Sequence, residues 1–379
     1  MRTNVSTSLF SGKFSSGWIM AIQIWLSLVV FFLFLLSLEL ITQSSHHLDS
    51  GFSVGILHVT GNPTVSLFIG LLATAIIQSS STFTSSLVAM VAGNVLSLES
   101  AVFMVLGANI GTTVTSMMVS FGSMATPKAF RRGFMVASSH VIFNVLSALL
   151  FFVLETNGQI LSRSSKYLAG QISTWDAFGE GWRSFIGFLV LPVTNLVFSL
   201  VQMQPIVSLG LGLILLFTTI YLLISIFKWI ILGNESGRVI KNAVSNPLIS
   251  MASGIGLTAA IHSSSVTTSL SVLLASTQKI SPKKLFPFII GSNVGTTITA
   301  LLAAIGRSES AIALAICHFI FNLAGALFFY PFPVLRAFPM FVARWTADMA
   351  YKRIAFGFGY LVILFYILPF LVIFLSEKF

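Results

Sequence analysis

Two runs of small hydroxyl side chains, each embedded in apolar sequence, hold most of the chemistry this chain can offer. The first is Gln78-Ser79-Ser80-Ser81-Thr82-Phe83-Thr84-Ser85, and the second is His262-Ser263-Ser264-Ser265-Val266-Thr267-Thr268-Ser269. A glycine–asparagine motif follows each at one fixed distance: Gly107-Ala108-Asn109-Ile110-Gly111-Thr112-Thr113, then Gly291-Ser292-Asn293-Val294-Gly295-Thr296-Thr297. Both motifs repeat at a separation of 184 positions (262 − 78 and 291 − 107). Hydroxyls at the same depth in two halves of one chain are the layout of a transport site at a repeat interface.

Five consecutive polar side chains, Gln78 to Thr82, cover every face of a helix at 100° per residue, so some would point into hydrocarbon. A single serine bonds back to its own helix, but a run of three invites the backbone to open. Open backbone at membrane depth survives only against protein or a water-filled cavity. Gln78–Ser81 therefore reads as the tip of a re-entrant hairpin, with His262–Ser265 as its mirror. The plainer reading is hydroxyl packing between helices; two copies in register, each with its own Asn-x-Gly-Thr-Thr, weigh against it. Gly107-x-x-x-Gly111 and Gly291-x-x-x-Gly295 suit either close helix packing or carbonyl exposure.

None of the ten carboxylates lies in either tip, in either glycine–asparagine motif or beside His140 and His318. Sites for organic cations or metals would carry intramembrane acids. Hydroxyls, amides and new helix N-termini, expected to begin after Ser81 and Ser265, suit an anion instead. Sodium can use carbonyls and hydroxyls, with the bound anion supplying negative charge, so that the two ions bind cooperatively. His140 and His318 occupy matching apolar places and read as hydrogen-bonded structural residues rather than proton carriers. His262, at a tip, is suited to donating to an anion or sensing pH. There is no nucleophile elbow, Walker loop or zinc signature, so the chain reads as no enzyme, driven by an ion gradient without an organic cofactor.

The elements that hold these residues must cross a bilayer. Hydrophobic residues make up 56% of the 379 and charged residues only 8%, about a third of the usual charge. Stretches such as 18–41, 206–232 and 356–375 are long enough to span as helices. The net charge of +10 is loop-clustered and marks orientation, not nucleic acid. Lys128, Arg131, Arg132, Lys228, Arg238 and Lys241 are expected inside, and a polar loop over 155–182 outside. Repeat one then starts outside and repeat two inside. This predicts an all-α integral membrane protein with two inverted-topology repeats, re-entrant helical hairpins and broken helices.

Its units are a first span and outer loop (1–61), repeat one (62–155) and an extracytoplasmic loop with an interfacial segment (156–205). A linking span and inner loop (206–245), repeat two (246–330) and an interfacial segment with a last span (331–379) follow. Asn62-Pro63 and Asn246-Pro247 open the repeats. His140-Val141-Ile142-Phe143-Asn144 and His318-Phe319-Ile320-Phe321-Asn322 close them, at an offset of 178 (318 − 140). Nothing in the residues sets an oligomeric state.

At these motifs the chain resembles the type II sodium-dependent phosphate cotransporters, which carry Gln-Ser-Ser-Ser and Gly-x-Asn-Ile-Gly-Thr in both repeats. The resemblance covers about 62–155 and 206–335. It implies uptake of inorganic phosphate with Na+ across a plasma membrane. Ser79, Ser80, Ser81, Ser263, Ser264 and Ser265 are the expected phosphate-binding residues. Gln78, Asn109, Thr112, His262, Asn293 and Thr296 are the expected sodium-binding ones. Arg131 and Arg132 are orientation charges, with guidance of phosphate as their alternative. His262 departs from the family's second glutamine. Val141 stands where electrogenic members carry an aspartate, which implies electroneutral transport. The 155–182 loop lacks the cysteines and glycosylation sites of animal members, implying a multi-pass protein of a bacterial inner membrane. A carrier of sulfate or arsenate, a passive anion channel and a membrane scaffold are the alternatives.

Overall fold

The computed structural model describes residues 16–47, 59–173, 188–201, 204–231, 243–278 and 280–376. Expected features at Arg238 and Lys241, and over 174–182, lie outside them. In chain order the helices are α1 (Ser16–His46), α2 (Pro63–Ile77), α3 (Ser80–Ala92), α4 (Leu98–Gly111), α5 (Thr113–Phe121), α6 (Pro127–Gly158), α7 (Ile160–Ser173) and α8 (Leu191–Leu200). Then come α9 (Pro205–Ile231), α10 (Pro247–Ile261), α11 (Ser264–Ser276), α12 (Pro282–Ala304), α13 (Glu309–Phe329), α14 (Pro333–Lys352), α15 (Ile354–Val362) and α16 (Leu368–Ser376). A π-helical turn, Ile363–Ile367, joins the last two.

Seven helical stretches among the described residues are long and apolar enough to cross a membrane: 21–44, 98–121, 127–158, 205–222, 282–304, 309–329 and 354–376. The chain is an all-α, multi-pass membrane protein. Shorter apolar helices have another role. At 1.5 Å per residue, α2 and α10 reach about 22 Å and α3 and α11 about 20 Å, less than the roughly 30 Å hydrocarbon layer. Each pair, α2–α3 and α10–α11, is a hairpin whose turn lies at a serine motif. Asn62 caps α2, its side chain accepting from the Thr64 and Val65 amides, with Pro63 in the first turn. Asn246 and Pro247 do the same for α10 through the Ile249 amide.

Glycine spacing sets how these helices cross. A Cβ on Gly107 would lie 1.8 Å from the Leu67 carbonyl oxygen, and one on Gly291 would lie 2.0 Å from that of Met251. Gly70 and Gly254 meet Met104 and Phe288 in return, at 2.1 Å each. Backbone therefore touches backbone at α2–α4 and at α10–α12. The glycines are packing residues, which resolves the choice left by the sequence.

The second helix of each hairpin also reaches into the other half. α3 packs on α12 and α13, and α11 packs on α5 and α6. This exchange brings both serine motifs to the centre. The windows through α4–α5 and α12 are each 83% buried, while that through α15–α16 is 17% buried, so the motif-bearing helices are internal and the last span peripheral. Phenylalanines fill the seams. Phe143 meets Phe286 at 6.2 Å and Phe329 at 5.8 Å, edge to face, and Phe151 meets Phe321 at 5.4 Å. Such pairs contribute about 0.5–1.5 kcal/mol each.

The stretch from Glu155, expected as a polar loop, is helical over much of its described length. α6 runs on to Gly158, and α7 begins at Ile160. Glu155 is 2% exposed, and its carboxylate accepts from the Leu161 amide (2.8 Å), the Ser162 amide and the Ser162 hydroxyl. It caps a helix whose polar face resembles loop composition. The interfacial segment expected within 156–205 contains α8, held near the end of α1 by His47 against Phe198 (5.6 Å).

Candidate functional site

Each tip breaks over two residues. Gln78 and His262 are left-handed, at φ 58° and 57°, and Ser79 and Ser263 are extended, at φ −145° and −149°. The next helices begin at Ser80 and Ser264, two residues earlier than expected. The reason is capping: the Ser79 hydroxyl accepts from the Thr82 amide at 3.3 Å, and Ser263 from the Val266 amide at 3.4 Å. A serine at the N-cap satisfies one orphan donor and fixes where the helix starts. The amides of Ser80, Ser81, Ser264 and Ser265 then sit in first turns, where no intrahelical acceptor exists. Each new helix N-terminus carries a partial positive charge at its tip.

The tips touch. The Ser265 hydroxyl donates to the Gln78 carbonyl at 3.2 Å, although the residues are far apart in sequence. Ser80 donates to Thr112 at 3.1 Å, joining tip one to the glycine–asparagine motif of its own half. Thr296, its counterpart, bonds back to the Ser292 carbonyl at 2.9 Å instead. Ser80, Ser81, Ser263 and Ser264 are buried, Ser79 and Ser265 half-buried, and Gln78 exposed.

The asparagines differ between halves. Asn109 donates to the Val105 carbonyl of its own helix at 2.8 Å. Asn293 crosses the molecule: the His140 Nε2–H donates to its Oδ1 at 2.8 Å, and its Nδ2 donates to Asn144 Oδ1 at 2.6 Å. His140 is thus hydrogen-bonded, as expected. His318 is equally buried, but neither of its ring nitrogens has a hydrogen-bond partner among the described residues. Asn144 was visible in the closing signature, yet nothing local announces a partner 149 positions away.

His262 does not project like Gln78. Its Nδ1 lies 3.3 Å from the Thr299 hydroxyl. A cavity of about 240 Å³ beside it is walled by Phe31, Phe34, Ile220 and Leu302. Gln78 instead reaches the Met118 sulfur at 3.7 Å. The arginines of α6 stand away from the tips. Arg132 donates to the carbonyls of Ala275 (3.2 Å) and Ile280 (2.6 Å), at the end of α11 remote from Ser264 by about 17 Å of helix. Arg131 pairs with Asp348 of α14 and holds that carboxyl below its ordinary range. These pairings make both arginines ties between elements.

Sequence reading missed one largely buried ion pair. Arg307, in the α12–α13 turn, faces Glu39 of α1 at 3.6 Å and donates to Thr42. An arginine and a glutamate 268 positions apart give no local signal.

Polar backbone at two broken helices, hydroxyls on both sides and no carboxylate at the tips can hold an oxyanion by amides and hydroxyls. The comparisons with known proteins give the family. The family described as Na+/Pi-cotransporter matches residues 33–165 and 214–368. Sodium-dependent phosphate transport protein 2A of Ovis aries is 27% identical over 94% of this chain and 68% of its own length. The 2A protein of Rattus norvegicus is 28% identical over 93% and 67%, and the 2B protein of Homo sapiens 28% over 84% and 59%. The chain thus spans about two thirds of the 2A relatives and less of 2B. No solved structure matches. From its paired motifs to the profile that covers most of its length, this chain belongs to the Na+/Pi-cotransporter family, a family of transporters rather than enzymes.

Proposed function

We propose that this protein carries inorganic phosphate into the cell with sodium, without net charge movement, across a bacterial inner membrane. The observation that carries the reading is the meeting of the two tips at Ser265 and Gln78, which directs the N-termini of α3 and α11 at one volume. Ser79, Ser80, Ser81, Ser263, Ser264 and Ser265 supply hydroxyls and first-turn amides to phosphate. Gln78, Asn109, Thr112, Asn293, Thr296 and His262 supply carbonyl, amide and hydroxyl groups around sodium.

An inverted repeat is part of this reading. Polar ties gather in two groups. Arg131–Asp348 and Arg132–Ile280 join α6 to α14 and to the start of α12. Lys166–Glu99 and Arg307–Glu39 join the start of α4 to α7 and the far end of α12 to α1. A trace with the first group inside and the second outside is self-consistent, and it sends α2 inward from one face and α10 from the other.

Two sodium ions with a divalent anion cancel the voltage terms. A tenfold sodium gradient then supplies about 1.4 kcal/mol per ion, enough for roughly hundredfold accumulation. Reconstitution into proteoliposomes, with labelled phosphate and voltage clamped by ionophore, tests this. Uptake is expected only with inward sodium and at equal rates at any clamped voltage. Uptake indifferent to sodium would overturn symport, and uptake that follows voltage would overturn neutrality.

A further inference from the structure

We propose that the cleft beneath α14 binds an anionic phospholipid by its phosphate-bearing headgroup. The cleft, of about 540 Å³, lies between α14 and the first turns of α10 and α12. Lys283, Arg336 and Arg344 line it, with apolar walls from Met340 and Phe341, and no carboxylate is among its lining residues. The acid nearest in sequence, Asp348, is bonded to Arg131. Arg336 lies over the Tyr330 ring at 5.2 Å. Such stacking fixes the plane of the guanidinium and leaves its edge N–H groups for an anion.

The helix itself separates a lipid from a free ion. Val334, Phe338, Phe341 and Trp345 are 81%, 52%, 70% and 56% exposed. Their spacing of four, three and four residues puts them on one face. Pro339, Met340, Ala343 and Ala347 are buried on the opposite side. α14 therefore shows an apolar stripe to hydrocarbon while two of its arginines face the cleft, the pattern of an interfacial helix. An inorganic ion gains nothing from Phe341 and Met340, whereas a lipid uses both the cations and the apolar wall. The basic cluster lies on the face that carries Arg131, where anionic headgroups attract polybasic segments.

The test is native mass spectrometry of the delipidated full chain in detergent, titrated with phosphatidylglycerol or phosphatidylcholine. One phosphatidylglycerol is expected to stay bound while phosphatidylcholine does not, and millimolar inorganic phosphate should leave it in place. Each charge removed should weaken binding about fivefold, so that Arg336→Gln/Arg344→Gln loses about 25-fold. Lys284→Gln, an exposed neighbour outside the cleft lining, should lose little. If the double variant does not fold, the exposed single variant Arg344→Gln carries the comparison. Equal retention of the two lipids, undiminished binding in the arginine variants, or displacement by inorganic phosphate would each overturn the proposal.

Discussion

Ser79 and Ser263 cap their helices through hydroxyls and Ser80 donates to Thr112, so a ligand at the tips must draw on hydroxyls that already hold bonds. Ser80→Ala and Ser264→Ala should each raise the phosphate KM about tenfold or more at equal membrane expression, since a hydrogen bond to a charged group contributes about 1.5–3 kcal/mol. Uptake unchanged in both variants would assign these side chains to packing. His262→Gln copies the side chain of tip one onto tip two. It should shift the sodium dependence of uptake while phosphate KM holds, and a changed phosphate KM with constant sodium dependence would place His262 on the anion instead. At this scale the sequence was informative wherever register repeated, which is why the serines and asparagines could be named. It was silent on direction. Asn109 and Asn293 hold equivalent positions, yet one bonds within its helix and the other reaches His140, because the neighbour that decides comes from another part of the chain.

Hairpins and their crossings belong to the scale of elements. Gly107→Ala or Gly291→Ala would set a methyl group against a carbonyl that cannot withdraw, at 1.8 and 2.0 Å. Each should cost at least about 3 kcal/mol, visible as loss of the monodisperse peak in detergent chromatography. Gly256→Ala, in α10 with open space around it, is the control, neutral or stabilising by up to about 1 kcal/mol. The hairpins were readable from hydropathy because their arms are too short to span and end in polar residues. α7 was not. Its capping acid, Glu155, belongs to the preceding helix, and a polar face on a short helix has the composition of a loop. Gly70 and Gly254 were overlooked although they repeat at the common offset of 184 (254 − 70); a lone glycine in an apolar helix draws notice only once its partner is known.

Across the whole molecule, the exchange of α3 and α11 makes each half incomplete without the other. The His140–Asn293–Asn144 chain fastens that junction in buried surroundings. A double-mutant cycle of His140→Ala and Asn293→Ala, read by thermal unfolding in detergent, should give a coupling of about 1 kcal/mol. Additive losses would mean that the two side chains act independently. Inversion of the halves is an inference from charge bias, whereas the interleaving could not be foreseen, since no pattern along a helix says which half it will join. Backbones in direct touch cannot shear, because any slide drives an oxygen into a Cα. The α2–α4 and α10–α12 crossings are therefore solid pieces, and for the proposed transport they leave rocking along the interleaved seam, rather than breathing within either scaffold, as the motion to test.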